Sequence, residues 1–267
     1  MPFLNMQLCN KIRAAALALL VAMLGVPCSA QWTQVRQAWN STAGTSPATT
    51  SVTLSLVNQG DVVLVSVDYL GTATGFTVAV TDGNGHSFTQ TPNSPCTYST
   101  GQKVWMYYIV APALATMSIT ATPSVAHGVS IHAIEFAPTA GTVTFDSDVC
   151  GNPITGTTPV NTPSITPSKS GVLYAASIAD PSANLGSFSG VVGGSWTIGT
   201  VGVIASDNNN SADEWQVSAT SATAVNWTVS SSGNSGWVAM AMSMYTVTPP
   251  NLAIKGKVFL KGNTKIK

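Results

Sequence analysis

Apolar and β-branched residues recur along this chain with a period of two, in short runs separated by clusters of Gly, Asn, Pro and Ser. A period of two places successive side chains on opposite faces of an extended backbone. The pattern predicts strands near 51–58, 62–69, 75–81, 86–90, 103–110, 116–122, 128–136, 143–145, 171–179, 195–198, 201–206, 214–219, 224–230 and 236–247. Asp82-Gly83-Asn84-Gly85 is a tight hairpin signal between two of them. Beyond the N-terminus no window carries a helical period. Many short strands at near-regular spacing predict an all-β protein, an antiparallel two-sheet sandwich of jelly-roll type.

Some strands also show their faces. In 224–230, Val225, Trp227 and Val229 share one side, opposite Asn226 and Thr228. In 236–246, Val238, Met240, Met242 and Met244 line one side, and Trp237, Ala239, Ala241 and Tyr245 the other. Both sides are apolar, which predicts a central strand covered twice. The Pro/Thr-rich stretch 151–169 reads as a long crossover loop or a linker. The halves on either side of it loosely resemble each other, each with an opening apolar strand, a Gly/Asn turn region and a closing apolar strand.

The N-terminus departs from this pattern. Lys11 and Arg13 precede an uncharged apolar run from Ala14 to Val26, which closes on Pro27-Cys28-Ser29-Ala30. That is the layout of a secretory signal peptide over 1–30, cleaved before Gln31. The run is shorter than the ~20 residues of a membrane-spanning helix, and no later run approaches that length. Pro27 is a poor fit directly before a lipidated Cys28. The exported chain of about 237 residues then divides into a sandwich domain, 31–248, and a tail or extra strand, 249–267.

Export changes the charge picture. The formal net charge is zero, but Lys11 and Arg13 leave with the signal peptide and five lysines (Lys255, Lys257, Lys261, Lys265, Lys267) crowd the tail. Arg36, Lys103 and Lys169 stand against all ten acidic residues, so the body is near −7. An acidic body excludes nucleic acid as the expected partner. It also simplifies the cysteines. Cys9 and Cys28 are lost, and Cys96 and Cys150 remain as an even pair in an oxidising compartment, predicting one disulfide between two loops.

The phrases VTDGNGHSFTQ at 80–90, VWMYYIVAPA at 104–113, SIHAIEFA at 130–137, GVLYAASIA at 171–179, DEWQVSAT at 213–220 and NWTVSSSGNSGWVAMAMSMY at 226–245 occur in a familiar order. In these the chain resembles a group of secreted β-sandwich proteins of soil bacteria such as Acidobacteria, over most of 33–247. The resemblance implies a jelly-roll-like fold and an exported location. The group has no established activity, so the resemblance carries over no catalytic residue.

Several chemistries have candidate residues. The hydrolase elbow G-x-S-x-G is missing, since Gly186-Ser187-Phe188-Ser189-Gly190 puts Phe at the nucleophile position. His86, His127 and His132 show no metal-binding spacing. Calcium is the one cofactor the sequence suggests. Asp146 and Asp148 put two carboxylates on one side of an extended segment, and Asp207-Asn208-Asn209-Asn210 is a second oxygen-rich loop. Turn-forming Asx residues explain both loops without metal. No EF-hand is present, because the twelfth position from Asp82 is Asn93. Glu135 and Glu214 are the only glutamates and the candidate pair for glycoside hydrolysis, which needs two facing acids. Trp32, Tyr98, Trp196 and Trp215 lie near loops or ends and are the candidate stacking platform for sugar rings.

These readings lead to a secreted, non-enzymatic β-sandwich module acting at the cell surface or in the matrix, with a glycan or cell-surface polymer as partner. One alternative is a secreted carbohydrate-active enzyme using Glu135 and Glu214. Another is a self-assembling subunit that pairs LAIKGKVFL, 252–260, within the tail 251–267, with a neighbour's open sheet edge.

Overall fold

The computed structural model describes residues 32–42, 49–69, 75–97, 101–151, 160–181, 188–191, 196–204, 209–221, 223–224, 226–229 and 234–248. The signal peptide, Tyr98, Asp207, Asn208 and the tail 251–267 lie outside them.

Among the described residues every regular element is a strand. The first half of the chain contributes β1 (Trp32–Ser41), β2 (Thr50–Val57), β3 (Val62–Tyr69), β4 (Val78–Thr81), β5 (Thr89–Gln90), β6 (Cys96–Thr97), β7 (Lys103–Val110), β8 (Ala115–Pro123) and β9 (Ser130–Pro138). The second half contributes β10 (Thr142–Gly151), β11 (Val160–Asn161), β12 (Gly171–Pro181), β13 (Phe188–Val191), β14 (Thr197–Ile204), β15 (Asn209–Ala219), β16 (Asn226–Val229) and β17 (Asn234–Val247). The expected all-β antiparallel sandwich is what forms. Sequence patterning overlooked β1, whose residues WTQVRQAWNS do not alternate cleanly.

The strands form four antiparallel sheets. The N-terminal major sheet runs β1-β9-β3-β7-β5, with β6 also on β7, and the N-terminal minor sheet runs β2-β8-β4. The C-terminal major sheet runs β10-β17-β12-β15-β14, and its minor sheet β11-β16-β13. The second pair repeats the first strand for strand, β6 excepted. β10, β17, β12, β15 and β14 take the places of β1, β9, β3, β7 and β5, and β11, β16 and β13 those of β2, β8 and β4. The resemblance of the halves is therefore a duplicated topology, giving two sandwiches in place of the expected two sheets.

Alternation explains how the sandwiches join. Val63, Val65 and Val67 of β3 pack on Val52, Leu54, Met117 and Ile119 of the N-terminal minor sheet. Val62 and Leu64 point the other way, with Met106, Ile134 and Phe136, into a core shared with Val172, Tyr174, Met240, Met242 and Met244. The outer side of the C-terminal major sheet, Leu173, Ala175, Trp237, Ala239 and Ala241, packs under Ile165 and Trp196. The two major sheets thus lie back to back between their own minor partners. β17 is a central strand covered on both faces, as its two apolar sides require.

Cys96 and Cys150 form the expected disulfide, with their Cα atoms 5.4 Å apart. It joins β6 to β10, so it ties one sandwich to the other. Beside it, Asn93 donates its backbone N–H to Asp148 Oδ2 at 2.8 Å and its side-chain amide to Oδ1 at 2.9 Å. Closing a loop of 54 residues stabilises by roughly 4 kcal/mol in the chain-entropy treatment. Replacing both cysteines by alanine is expected to lower the urea unfolding free energy by about that amount, measured against the oxidised parent.

Candidate functional site

The two glutamates are not brought together. Glu135 pairs with Val63 across β9 and β3, on the face that packs against the N-terminal minor sheet. Glu214 pairs with Ala175 across β15 and β12, on the outer face of the C-terminal major sheet. Both major sheets lie between them. Packed sheets are about 10 Å apart, so the two carboxyls exceed the ~5–9.5 Å separation that glycoside hydrolysis uses. Both are fully buried. Arg36 Nη1 donates to Glu135 Oε2 at 2.6 Å. Burial pushes the Glu135 carboxyl up, and Arg36 opposes this. Neither oxygen of Glu214 has a hydrogen-bond partner. Burial, with the charge of Asp213 adding to it, pushes Glu214 up to about 9.

The tryptophans chosen for sugar stacking are interior. Trp32 and Trp215 belong to the core between the major sheets, Trp215 edge-on to Phe136. Trp196 is buried on the outer core and donates its Nε1–H to Thr223 Oγ1 at 3.3 Å. A ring near a loop in sequence can still turn inward when the strand beside it faces a second layer. Trp39, which sequence reasoning passed over together with β1, is 40% exposed.

The two aspartates proposed for calcium serve separate partners. Asp146 Oδ2 accepts from the Ser168 N–H at 2.7 Å and from Ser243 Oγ at 3.1 Å. Asp148 is held by Asn93 on the other sandwich. A register shift between Phe145 and Ser147 breaks the alternation that would have kept them on one side. Among the described residues no group of three or more His, Cys, Asp or Glu side chains is placed to hold a metal.

The structure does assemble a polar cluster that sequence spacing hid. Its members come from both sandwiches and meet between the major sheets. Ser211 Oγ lies 2.8 Å from His132 Nε2, and His132 Nδ1 lies 3.7 Å from Asp213 Oδ1. Asp68 Oδ2 is 3.5 Å from His132 Nε2, and Ser130 Oγ stands 3.0 Å from both Asp68 Oδ2 and Ser211 Oγ. The Tyr174 hydroxyl donates to Ser66 Oγ at 3.3 Å. Ser211, His132 and Asp213 have the order of a hydrolytic triad, but each is at most 1% exposed. Ser211 also sits inside the ladder, between Ile178 and Gly202. Its backbone is therefore engaged in the sheet, and its side chain is buried. Burial pushes Asp68 well up, with the Asp213 charge adding to it, and pushes His132 down against the pull of Asp213.

An open site lies elsewhere. A cavity of about 200 Å³ is lined by Asp82, Asn84 and His86 on one side and by Pro112, Ala113, Ala115 and Met117 on the other. The Asp-Gly-Asn-Gly turn builds the polar wall. Asp82 Oδ1 accepts from the N–H groups of Asn84 at 3.0 Å and His86 at 2.8 Å, while Oδ2 meets His86 Nδ1 at 2.8 Å. Burial raises the Asp82 carboxyl, but these hydrogen bonds outweigh it and hold the group below its usual range. With Nδ1 held on Asp82, the orientation of the ring is fixed while its side chain stays 44% exposed. The apolar wall is the β7–β8 turn, where Leu114 is 61% exposed. Beside it, Leu56 is also exposed and holds a left-handed φ of 55°. Its N–H reaches Thr116 Oγ1 at 3.4 Å. A bulky residue in that conformation carries backbone strain, which tends to collect near ligand sites.

Compared with known proteins, the chain matches no family model, no curated protein and no solved structure. No helix among the described residues is long and apolar enough to cross a membrane.

The state of Glu214 has a measurable consequence. Its folded pKa is raised from 4.5 to about 9, so its contribution to stability is present in full below 4.5 and is lost as pH rises towards 9. Through that window it lowers the unfolding free energy by at most about 1.4 kcal/mol per pH unit. Glu214→Gln is expected to flatten the rise in stability on going from pH 9 to pH 5, read from urea unfolding at each pH. An unchanged slope would show that Glu214 is ionised in the folded chain.

Proposed function

We propose that this protein is an exported, non-enzymatic binding module that takes a carbohydrate at the cleft between the 82–86 turn and the 112–117 segment. The single observation that carries the reading is the two-sided character of that cleft. One wall offers a fixed imidazole and an amide, and the other offers Pro112, Ala113, Ala115 and Met117. A sugar ring has the matching character, with apolar C–H faces and a rim of hydroxyls. A volume of about 200 Å³ falls below the ~300–1,000 Å³ of sites for larger ligands, which favours one ring or a chain end over an extended polysaccharide.

Other features support the reading. The disulfide between Cys96 and Cys150 accords with an oxidising compartment outside the cell, as does the signal-peptide layout of 1–30. A binding module without chemistry accords with two glutamates buried on far-apart faces.

A glycan array on the oxidised exported chain is expected to give ligands ending in a common sugar. Calorimetry on the best of them should then show at least a tenfold loss of affinity for His86→Ala and for Asn84→Ala. Glu135→Gln should bind as the parent does. Silence across plant, microbial and host glycans would sink the proposal, and so would binding that ignores both cleft substitutions.

A further inference from the structure

The repeat in topology gives the two sandwiches two equivalent seams. At one, β10 lies beside β6 and the segment before it, where Cys96–Cys150 joins the halves covalently and Asn93 holds Asp148. At the other, β1 lies beside β14. The exported chain has no further cysteine to close that one. The polar cluster sits just inside it. His132 is paired with Trp39 of β1 and stacked under its ring, centroids 6.3 Å apart and planes 20° from parallel. Trp39 is half-exposed and forms the outer cover. From the opposite side β14 presses on the cluster so closely that a Cβ at Gly199 would run into the Asp213 carboxyl and the Trp215 ring.

We propose that this cluster is a pH-sensitive latch, which keeps the β1–β14 seam closed while Asp68 holds its proton and releases it when that proton leaves, the disulfide seam acting as the hinge.

The argument is one of charge balance in a dry place. The cluster contains two carboxyls, Asp68 and Asp213, and one imidazole, His132. With the imidazole neutral and both carboxyls ionised, two like charges share a buried interface. The nearby cationic side chains face the other side of the N-terminal major sheet: Arg36 is on Glu135, and Lys103 lies on the Phe76 carbonyl and over Trp105. To the shared core β7 brings Val104, Met106 and the Tyr108 ring, which stacks on Phe145 of β10, and β17 brings Val238, Met240, Met242 and Met244. β12 brings the Tyr174 phenol, which burial keeps protonated. Glu135 and Glu214 lie on the far faces of the two sheets. A proton on Asp68 removes the repulsion with Asp213 without moving any atom.

The direction follows from the shifts. Asp68 is raised, so its contribution to closure is present at acidic pH and is lost as pH rises through its folded value. His132 is lowered, so its contribution is lost in the opposite direction, as pH falls below the ordinary histidine range near ~6.5. Closure is therefore firmest in weakly acidic solution and weakens towards alkaline pH. This inference does not depend on the cleft or its ligand.

Hydrogen exchange on the oxidised full exported chain tests it, at pH 6 and pH 9 with rates corrected for intrinsic exchange. Peptides covering β1 and β14 are expected to lose at least tenfold protection at pH 9, while peptides covering β6 and β10 keep theirs. Asp68→Asn should abolish the difference and Glu214→Gln should retain it. If Asp68→Asn does not fold, Asp213→Asn removes the second charge and is read the same way. Equal loss at both seams, no loss at β1 and β14, or a pH response that survives the aspartate substitutions would overturn the latch.

Discussion

A sheet with two apolar faces has to be covered twice, and everything else in this structure follows from meeting that demand. β3 carries Val63, Val65 and Val67 on one side and Val62 and Leu64 on the other. A single two-sheet sandwich covers only the first set. Burying the second, at roughly 25 cal/mol per Å² of apolar surface, requires another sheet of the same kind. The second half of the chain supplies it, and β17 answers with methionines facing inward and small alanines facing outward. The methionines suit this joint because their flexible chains fill the irregular space between two twisted sheets.

The joint is apolar where apolar packing suffices and polar where it does not need to be. Val104 and Met106 meet the methionines of β17 with no buried charge. On the other lobe Asp68, His132 and Asp213 are buried although the repeated topology shows that an apolar filling closes the same kind of contact. Buried ionisable groups rarely improve on an apolar core for stability alone, and their best-attested use is to specify a register or a switch. The cluster lies at the seam that lacks the disulfide. Covalent closure at one seam and proton-dependent closure at the other divide the work of holding the halves together.

Much of this architecture was legible in the chain. The two apolar sides of 236–246 announced a doubly covered strand, and the Cys96–Cys150 pair that remains on the signal-peptide reading announced the disulfide. The number of sheets was not legible, because alternation says that a face is buried and not by which neighbour. β1 escaped for a related reason: as an edge strand it is only partly buried, so WTQVRQAWNS shows little contrast. The candidate site was harder still. Trp32 and Trp196 do lie at a strand end or beside one, whereas Trp215 lies within β15, and all three rings turn into cores that exist only because of the second sandwich. His132 and Ser211 are 79 residues apart, and no local spacing signals a contact made across two sandwiches. The Asp82–His86 turn was read as a hairpin signal, and its Asp-Gly-Asn-Gly chemistry is also what fixes the imidazole.

Burial separates the roles of the titratable groups more sharply than their identity does. Asp82 and Asp68 are the same residue type, and both carboxyls are nearly sealed. Asp82 is surrounded by donors, including two backbone N–H groups, so it stays ionised and serves as a fixed anchor for a ring that reaches solvent. Asp68 has one hydroxyl donor and a second carboxyl facing it, so its charge is a liability that a proton removes. A general acid or base must also reach the atom it serves, and that demand excludes Glu135, Glu214 and the Ser211–His132–Asp213 trio together, since none of them is exposed by more than 1%. The cleft beside the 82–86 turn is open, with a polar wall against an apolar one. The carboxylate that orients the imidazole there is committed to four hydrogen bonds within its own turn.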